Sequence, residues 1–109
     1  MKIANVAFAT TNWESIEPTV HSGETGHAIW RTLQLGDIRV RMVEYTPGYV
    51  ANHWCRKGHI LLVLEGELET ELGDGRKFLL RPGMTYQVAD EAESHRSSTA
   101  TGVKLFIVD

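Results

Sequence analysis

Apolar and polar residues alternate along several short segments of the chain. Arg39 and Arg41 alternate with apolar residues in 38–42, and three glutamates alternate with leucine and threonine in 67–72. Successive side chains of a β-strand point to opposite faces, so this alternation predicts strands with one apolar and one polar face. We interpret the arginines and the glutamates as solvated. The alternative for the two arginines is a carboxylate site, which requires their face to line the mouth of a barrel.

Turn-forming residues recur at short intervals between these segments. They lie at Gly36-Asp37, Pro47-Gly48, Gly66, Gly73-Asp74-Gly75, Pro82-Gly83 and Gly102. The residues between the turns predict strands at 28–35, 38–42, 49–55, 59–65, 67–72, 77–80, 84–88, 95–99 and 103–108. The chain is therefore predicted to be an all-β sandwich or barrel. A double-sheet jelly roll is favoured because it limits exposed sheet edges.

The N-terminal segment has no clear period. One proline and two glycines interrupt 10–26, which we interpret as loop-rich. The chain has 109 residues, of which 42% are hydrophobic and 23% charged, and this composition is typical of one globular domain. We therefore predict a single domain over 1–109, with an N-terminal arm at 1–27 and a barrel at 28–109.

Charge and cysteine usage exclude several classes of protein. The net charge is −3 and the sequence pI is about 5.9, which provides no positive field for nucleic acid or anionic lipid. The single cysteine, Cys55, excludes an intrachain disulfide, and the longest aliphatic run, 60–64, is too short to span a membrane. We expect a cytoplasmic protein with neither a nucleic acid nor a membrane as its partner.

Histidine and cysteine supply the candidate chemistry. His53 and Cys55 are two residues apart on a predicted strand and therefore share a face. His59 points to the same face if the residues between Cys55 and His59 are extended. His95, on a later predicted strand, could complete the cluster. Imidazole and thiolate bind divalent transition metals. Metal ligation is therefore favoured over core histidines that are satisfied by backbone carbonyls.

Cys55 has two further interpretations. An isolated cysteine is often a small buried apolar residue, and the sequence favours neither this interpretation nor ligation. A nucleophile activated by His59 or His95 is also conceivable, because a nearby imidazolium lowers a thiol pKa. No predicted helix presents such a nucleophile, so this third interpretation is disfavoured.

The segment from Gly48 to Gly66 resembles the first of the two short motifs of the cupin superfamily, G-x5-H-x-H-x3,4-E-x6-G. His53 matches the first histidine of the motif, Cys55 stands where the second histidine usually lies, and His59 stands at the glutamate position. The spacing of the motif is largely retained while its ligand set differs.

The second cupin motif is matched more loosely. Pro82-Gly83 lacks the residue that usually separates proline from glycine, and His95 is matched by its place just before a strand. The resemblance covers roughly 38–108. The run Asn52-His53-Trp54-Cys55 is also similar to the Asp-His-Cys-Trp signature of a group of small single-domain cupins.

This resemblance implies a jelly-roll barrel with a central metal ion, and frequently a homodimer. The implied ligands are His53, His59 and His95, with Cys55 as a fourth candidate. Loss of the motif glutamate shifts the preference away from hard ions. Zinc or iron is therefore expected first, with copper, nickel and manganese as alternatives.

The function that the resemblance implies is that of a metal-dependent enzyme, of dioxygenase or isomerase type, acting on a small organic molecule. Tyr45, Trp54 and Tyr86 are candidate pocket residues, with the hydrophobic core as their alternative location. Glu44 and Glu65 are the only nearby candidates for an acid or base. Since neither is clearly directed at the site, a non-catalytic cupin that binds or senses a small ligand is a second hypothesis. A closed structural metal site is a third.

Overall fold

A computed structural model describes residues 2–109 and consists mainly of β-strands. The strands are β1 Thr19–Ser22, β2 His27–Leu35, β3 Ile38–Tyr45, β4 His59–Gly66, β5 Leu68–Leu72, β6 Lys77–Leu80, β7 Thr85–Val88, β8 His95–Ser98 and β9 Val103–Val108. One short 3-10 helix, Trp13–Ser15, precedes them. Within residues 2–109 no helix has the length and apolar character needed to cross a membrane.

The strands form two antiparallel sheets. The larger sheet has six strands in the order β1-β2-β3-β9-β4-β7, and the smaller has three in the order β6-β5-β8. Inward residues of the larger sheet share one core with Leu68 and Leu80 of the smaller sheet. The all-β prediction is therefore confirmed.

The core between the sheets is aliphatic. Its members are at most 3% exposed and are Val43, Leu61, Val63, Leu68, Leu80, Val103, Leu105 and Ile107. Burial of each such side chain contributes about 1.5–3 kcal/mol, so this layer dominates the cohesion of the two sheets. The glutamates of 67–72 alternate with the buried Leu68 and Thr70, as the sequence pattern predicted.

The inward face of the three central strands becomes polar at one end of the molecule. On β3, Val43 is followed towards this end by Arg41 and Arg39. The matching positions are His59 on β4 and Asp109 just after β9. Because the strands are paired in register, these polar positions lie together at the end of the aliphatic core.

The N-terminal segment, predicted to be loop-rich, contains a strand. β1 pairs with β2 from Thr19 opposite Trp30 to Ser22 opposite His27. The backbone N–H of Gly23 donates to the carbonyl of Gly26, closing the turn between the two strands. The glycines that were interpreted as interruptions therefore mark a hairpin turn.

The predicted strand at 49–55 is not continuous. Only Val50 and Cys55 form isolated bridges, because the chain bends at Asn52 and His53. The hydrogen bonds of this segment go to separate partners rather than to one neighbouring strand. His53 and Cys55 therefore do not lie on one continuous strand, although both residues line one cavity.

Gly66 ends β4 in a conformation that excludes a side chain. Its φ is +79°, and a Cβ atom there would overlap the carbonyl oxygen of Gly102. We expect Gly66→Ala to lower the free energy of unfolding by about 3 kcal/mol, measured by urea denaturation. Gly36→Ala is the matched control, since Gly36 has a φ of +60° but open space around it. It should lose only about 1 kcal/mol, and an equal loss in both variants would contradict the steric explanation.

Candidate metal centre

A backbone bridge brings Cys55 beside His95. The Cys55 N–H donates to the His95 carbonyl at 2.8 Å, and the His95 N–H donates to the Cys55 carbonyl at 2.9 Å. The His95 side chain is buried, and its Nδ1 lies 3.0 Å from the carbonyl oxygen of Glu93. Since a carbonyl only accepts, Nδ1 carries the hydrogen, and Nε2 is the nitrogen left to bind a ligand.

His59, the first residue of β4, meets the same group. Its Nε2 lies 3.2 Å from Nε2 of His95 and 2.8 Å from the hydroxyl oxygen of Tyr86. One ligand atom each from Cys55, His59 and His95 all lie within 4.8 Å of one another. We call these three residues the Cys-His-His cluster.

The surroundings of the cluster alter the charge states of its members. The hydrogen bond between Cys55 and His95 lowers the pKa of the thiol and raises the pKa of the imidazole. Burial, followed by the charge of His95, lowers the pKa of His59 to about 4. His59 is therefore neutral near pH 7, and the thiolate of Cys55 forms more readily than that of an isolated cysteine. Both are states in which a metal ligand binds.

The cluster lines a cavity of about 120 Å³ at the polar end of the core. His53 also lines this cavity, but it lies outside the Cys-His-His cluster. Its side chain is exposed, and its Nδ1 lies 2.9 Å from Oδ1 of the adjacent Asn52. The bend at Asn52 and His53 thus separates His53 from the three residues that the structure groups.

The aromatic candidates occupy different positions. Tyr45 and Tyr86 line the cavity, and burial raises the pKa of both phenols. Trp54 is 43% exposed and is not part of the cavity wall. The guanidinium of Arg96 lies 5.1 Å from the centre of its ring.

The preferred interpretation of Arg39 and Arg41 as a solvated strand face is wrong. Both line the cavity, and Arg41 is only 6% exposed. They bind the fully buried carboxylate of Asp109: Arg39 through Nε at 2.8 Å and Nη2 at 3.0 Å, Arg41 through Nη2 at 3.0 Å. Burial alone would raise the pKa of Asp109, but the two arginines hold it below its ordinary value. Arginine is stable on this inward face because a buried partner compensates its charge.

The two acidic candidates lie elsewhere. Glu44 and Glu65 are exposed and line a separate surface depression with Lys104. The carboxylate that the cavity does contain, Asp109, was missed in the sequence. Asp109 is an even number of residues from Leu105 and Ile107. In an extended strand this spacing places it on the same inward face of β9.

Comparisons with known proteins identify the architecture. No protein-family model and no curated protein sequence matches the chain. Among solved structures, a predicted oxalate decarboxylase from Thermotoga maritima superposes with a TM-score of 0.78 at 18% identity, over 92% of this chain and 96% of that one. An RmlC-like cupin from Shewanella frigidimarina gives a TM-score of 0.72 at 21% identity, over 94% of this chain and 89% of that one.

An iron enzyme is also similar in structure. Fe(II)-HppE, solved with an alternative substrate, gives a TM-score of 0.72 at 16% identity. The match covers 94% of this chain and 60% of that one. At these identities the similarity establishes architecture. The two antiparallel sheets of this chain therefore form the jelly-roll barrel of the cupin fold, as the motif resemblance predicted.

Proposed function

We propose that the Cys-His-His cluster binds a divalent transition metal and that the protein is a metal-dependent enzyme acting on a small organic molecule. The observation that carries the proposal is the placement of Cys55, His59 and His95. Their ligand atoms lie within 4.8 Å of one another on the wall of a cavity of about 120 Å³. Three protein ligands beside a cavity are typical of metal sites that keep a position open for substrate or water.

The donor atoms fit a metal ion. Two imidazole nitrogens bound to one tetrahedral zinc ion, each about 2.1 Å from it, lie about 3.4 Å apart. The Nε2 atoms of His59 and His95 are 3.2 Å apart. One thiolate and two imidazoles, with no carboxylate, form a soft to intermediate donor set that suits zinc or ferrous iron better than manganese. The iron of the structurally similar Fe(II)-HppE supports a metal in this fold.

Tyr86 is the group best placed to assist chemistry at the cluster. Its hydroxyl lies 2.8 Å from Nε2 of His59, the nitrogen that a metal would engage. Burial raises the pKa of Tyr86, so the phenol keeps its proton and remains a donor. With that nitrogen engaged, the hydroxyl would be free to donate to a bound substrate. A bound zinc or iron ion would supply Lewis acidity.

One observation favours the second hypothesis, a cupin that binds or senses a ligand without turnover. Among residues 2–109, Asp109 is the only carboxylate on the cavity wall, and both arginines bind it. A carboxylate held in this way is a poor proton acceptor. The binding hypothesis thus predicts saturable ligand binding with no product. A closed structural zinc site is less well supported, because the cluster supplies three ligands rather than four.

Substitution of the cluster tests the ligand set. We expect Cys55→Ser and His95→Gln each to weaken zinc affinity more than about tenfold, because each removes one of three ligands. His53→Gln, on the same cavity wall, and His21→Gln, outside it, should bind zinc as the unmodified protein does. Zinc stoichiometry and zinc affinity are measured for each variant by competition with a chromophoric chelator. Loss of zinc from His53→Gln alone would favour His53 as a ligand instead.

Zinc affinity should also depend on pH. The hydrogen bond from Cys55 raises the pKa of His95. As the pH falls below this raised pKa, the His95 imidazole binds a proton, and this proton must leave before a metal can bind. His59, with a pKa of about 4, stays neutral over the same range. We expect affinity to fall as the pH drops below the raised pKa of His95, by up to about tenfold per pH unit. Chelator competition at several pH values measures the slope, and a flat profile would contradict ligation by His95.

We further propose that the protein is a homodimer. Ile60 and Leu64 on the outer face of the six-stranded sheet are 51% and 38% exposed, and a contiguous apolar sheet face favours association. Light scattering should give the mass of a dimer, and Ile60→Lys should give a monomer. Leu79→Lys, on the other sheet, is the control and should stay dimeric. A monomeric mass for the unmodified protein would refute the proposal.

A further inference from the structure

Three buried nitrogens on the cavity wall have no hydrogen-bond partner. They are Nε of Arg41, the indole Nε1 of Trp30 and Nδ1 of His59, and the first two always carry a hydrogen and are therefore donors. Buried N–H groups in native proteins nearly always have a partner, either in the protein or in an ordered water or other bound molecule. Two unpartnered donors on one cavity therefore point to an acceptor that occupies it.

The two donors are held in fixed positions. The guanidinium carbon of Arg41 lies 4.4 Å from the centre of the Trp30 ring, and Arg41 is 6% exposed. The imidazole of His21 packs against the same indole, with 3.9 Å between the ring centres. Because both donor groups are packed, a ligand would meet them with little loss of side-chain freedom.

The donors also lie next to the Cys-His-His cluster. Oδ2 of Asp109 is 3.0 Å from Nη2 of Arg41 and 3.8 Å from Nδ1 of His59. A molecule that accepts from Arg41 can therefore extend to the cluster within one cavity. The volume of about 120 Å³ limits it to a small molecule.

The two arginines and Asp109 give this side of the cavity a net positive charge, which an anion would compensate. Arg39 and Arg41 carry two positive charges, and Asp109 neutralises one of them. Burial, followed by the charge of Arg39, lowers the pKa of Arg41, which shows that its positive charge is incompletely compensated. An anionic ligand would supply the missing compensation.

We propose that the cavity binds a small carboxylate whose oxygens accept hydrogen bonds from Nε of Arg41 and Nε1 of Trp30, with the remainder of the molecule directed to the Cys-His-His cluster. This assigns a substrate class to the proposed metal site and in that respect rests on the proposed function. The contacts to the carboxylate are made by the chain itself. They therefore exist with or without a bound metal. A carboxylate is favoured over a phosphate because its single negative charge matches the one positive charge that Asp109 leaves uncompensated, whereas a phosphate carries more than one negative charge near pH 7.

The indole signal of Trp30 tests the proposal directly. The chain has three tryptophans, so a ¹H–¹⁵N spectrum contains three indole signals, and Trp30→Phe identifies the one that belongs to Trp30. We expect acetate to shift this signal in a saturable way in metal-free and zinc-loaded protein, with tighter binding in the latter. Acetamide, inorganic phosphate and sodium chloride at matched ionic strength should not shift it. The signals of Trp13 and Trp54 should stay in place.

Two arginine variants provide matched controls. Arg41→Gln should weaken acetate binding more than tenfold. Arg31→Gln should leave it unchanged, because Arg31 donates to the carbonyl of Ile16 outside the cavity. If Arg41→Gln does not fold, the titration of the unmodified protein still decides the question. No acetate shift in either form, or an equal shift with acetamide or phosphate, overturns the carboxylate proposal.

The same titration separates this inference from the proposed function. Protein that binds zinc but gives no acetate shift retains the metal site and loses the carboxylate site. Protein that binds no zinc but responds to acetate retains the carboxylate site and loses the proposed metal function.

Discussion

The candidate centre depends on the two backbone hydrogen bonds between Cys55 and His95. Cys55 lies in a bent segment outside every strand, so this bridge fixes its position. The bridge brings a thiol beside an imidazole, and that contact shifts the pKa of each towards the thiolate and imidazolium forms. Because the bonds are made by the backbone, the cluster forms without help from its side chains. A site built this way is preorganised for a ligand.

Strand register determines where the remaining polar residues lie. On β3, β4 and β9 the inward positions are aliphatic in the middle of the barrel and polar at one end, where Arg41, His59 and Asp109 meet. A shift of one residue in any of these strands would turn its polar residue to the outer face. The aliphatic core fixes the register of these strands and therefore also fixes the geometry of the cavity.

The sequence predicted strands well because alternation is a local signal, and nearly every interval between turn residues became a strand. Alternation does not reveal which face is inside, so Arg39 and Arg41 were placed on the wrong side; their buried partner, Asp109, is far along the chain. The strand predicted at 49–55 is interrupted at the bend of Asn52 and His53. Cys55 therefore lies with His59 and His95, whereas His53 lies elsewhere on the cavity wall. Positions fixed by distant hydrogen bonds are not visible in a local pattern.

Asp109 connects the two halves of the cavity. Its Oδ2 faces Arg41 on one side and His59 on the other, and its side chain is fully buried. A cation at the cluster would attract this carboxylate and draw it from Arg41. An anion at Arg41 would compete with it in the opposite direction. Both ligands would therefore act on one carboxylate, and the affinities for the two are expected to be thermodynamically coupled. The buried ion pair would thus be the physical link between the proposed metal-binding and anion-binding parts of the cavity.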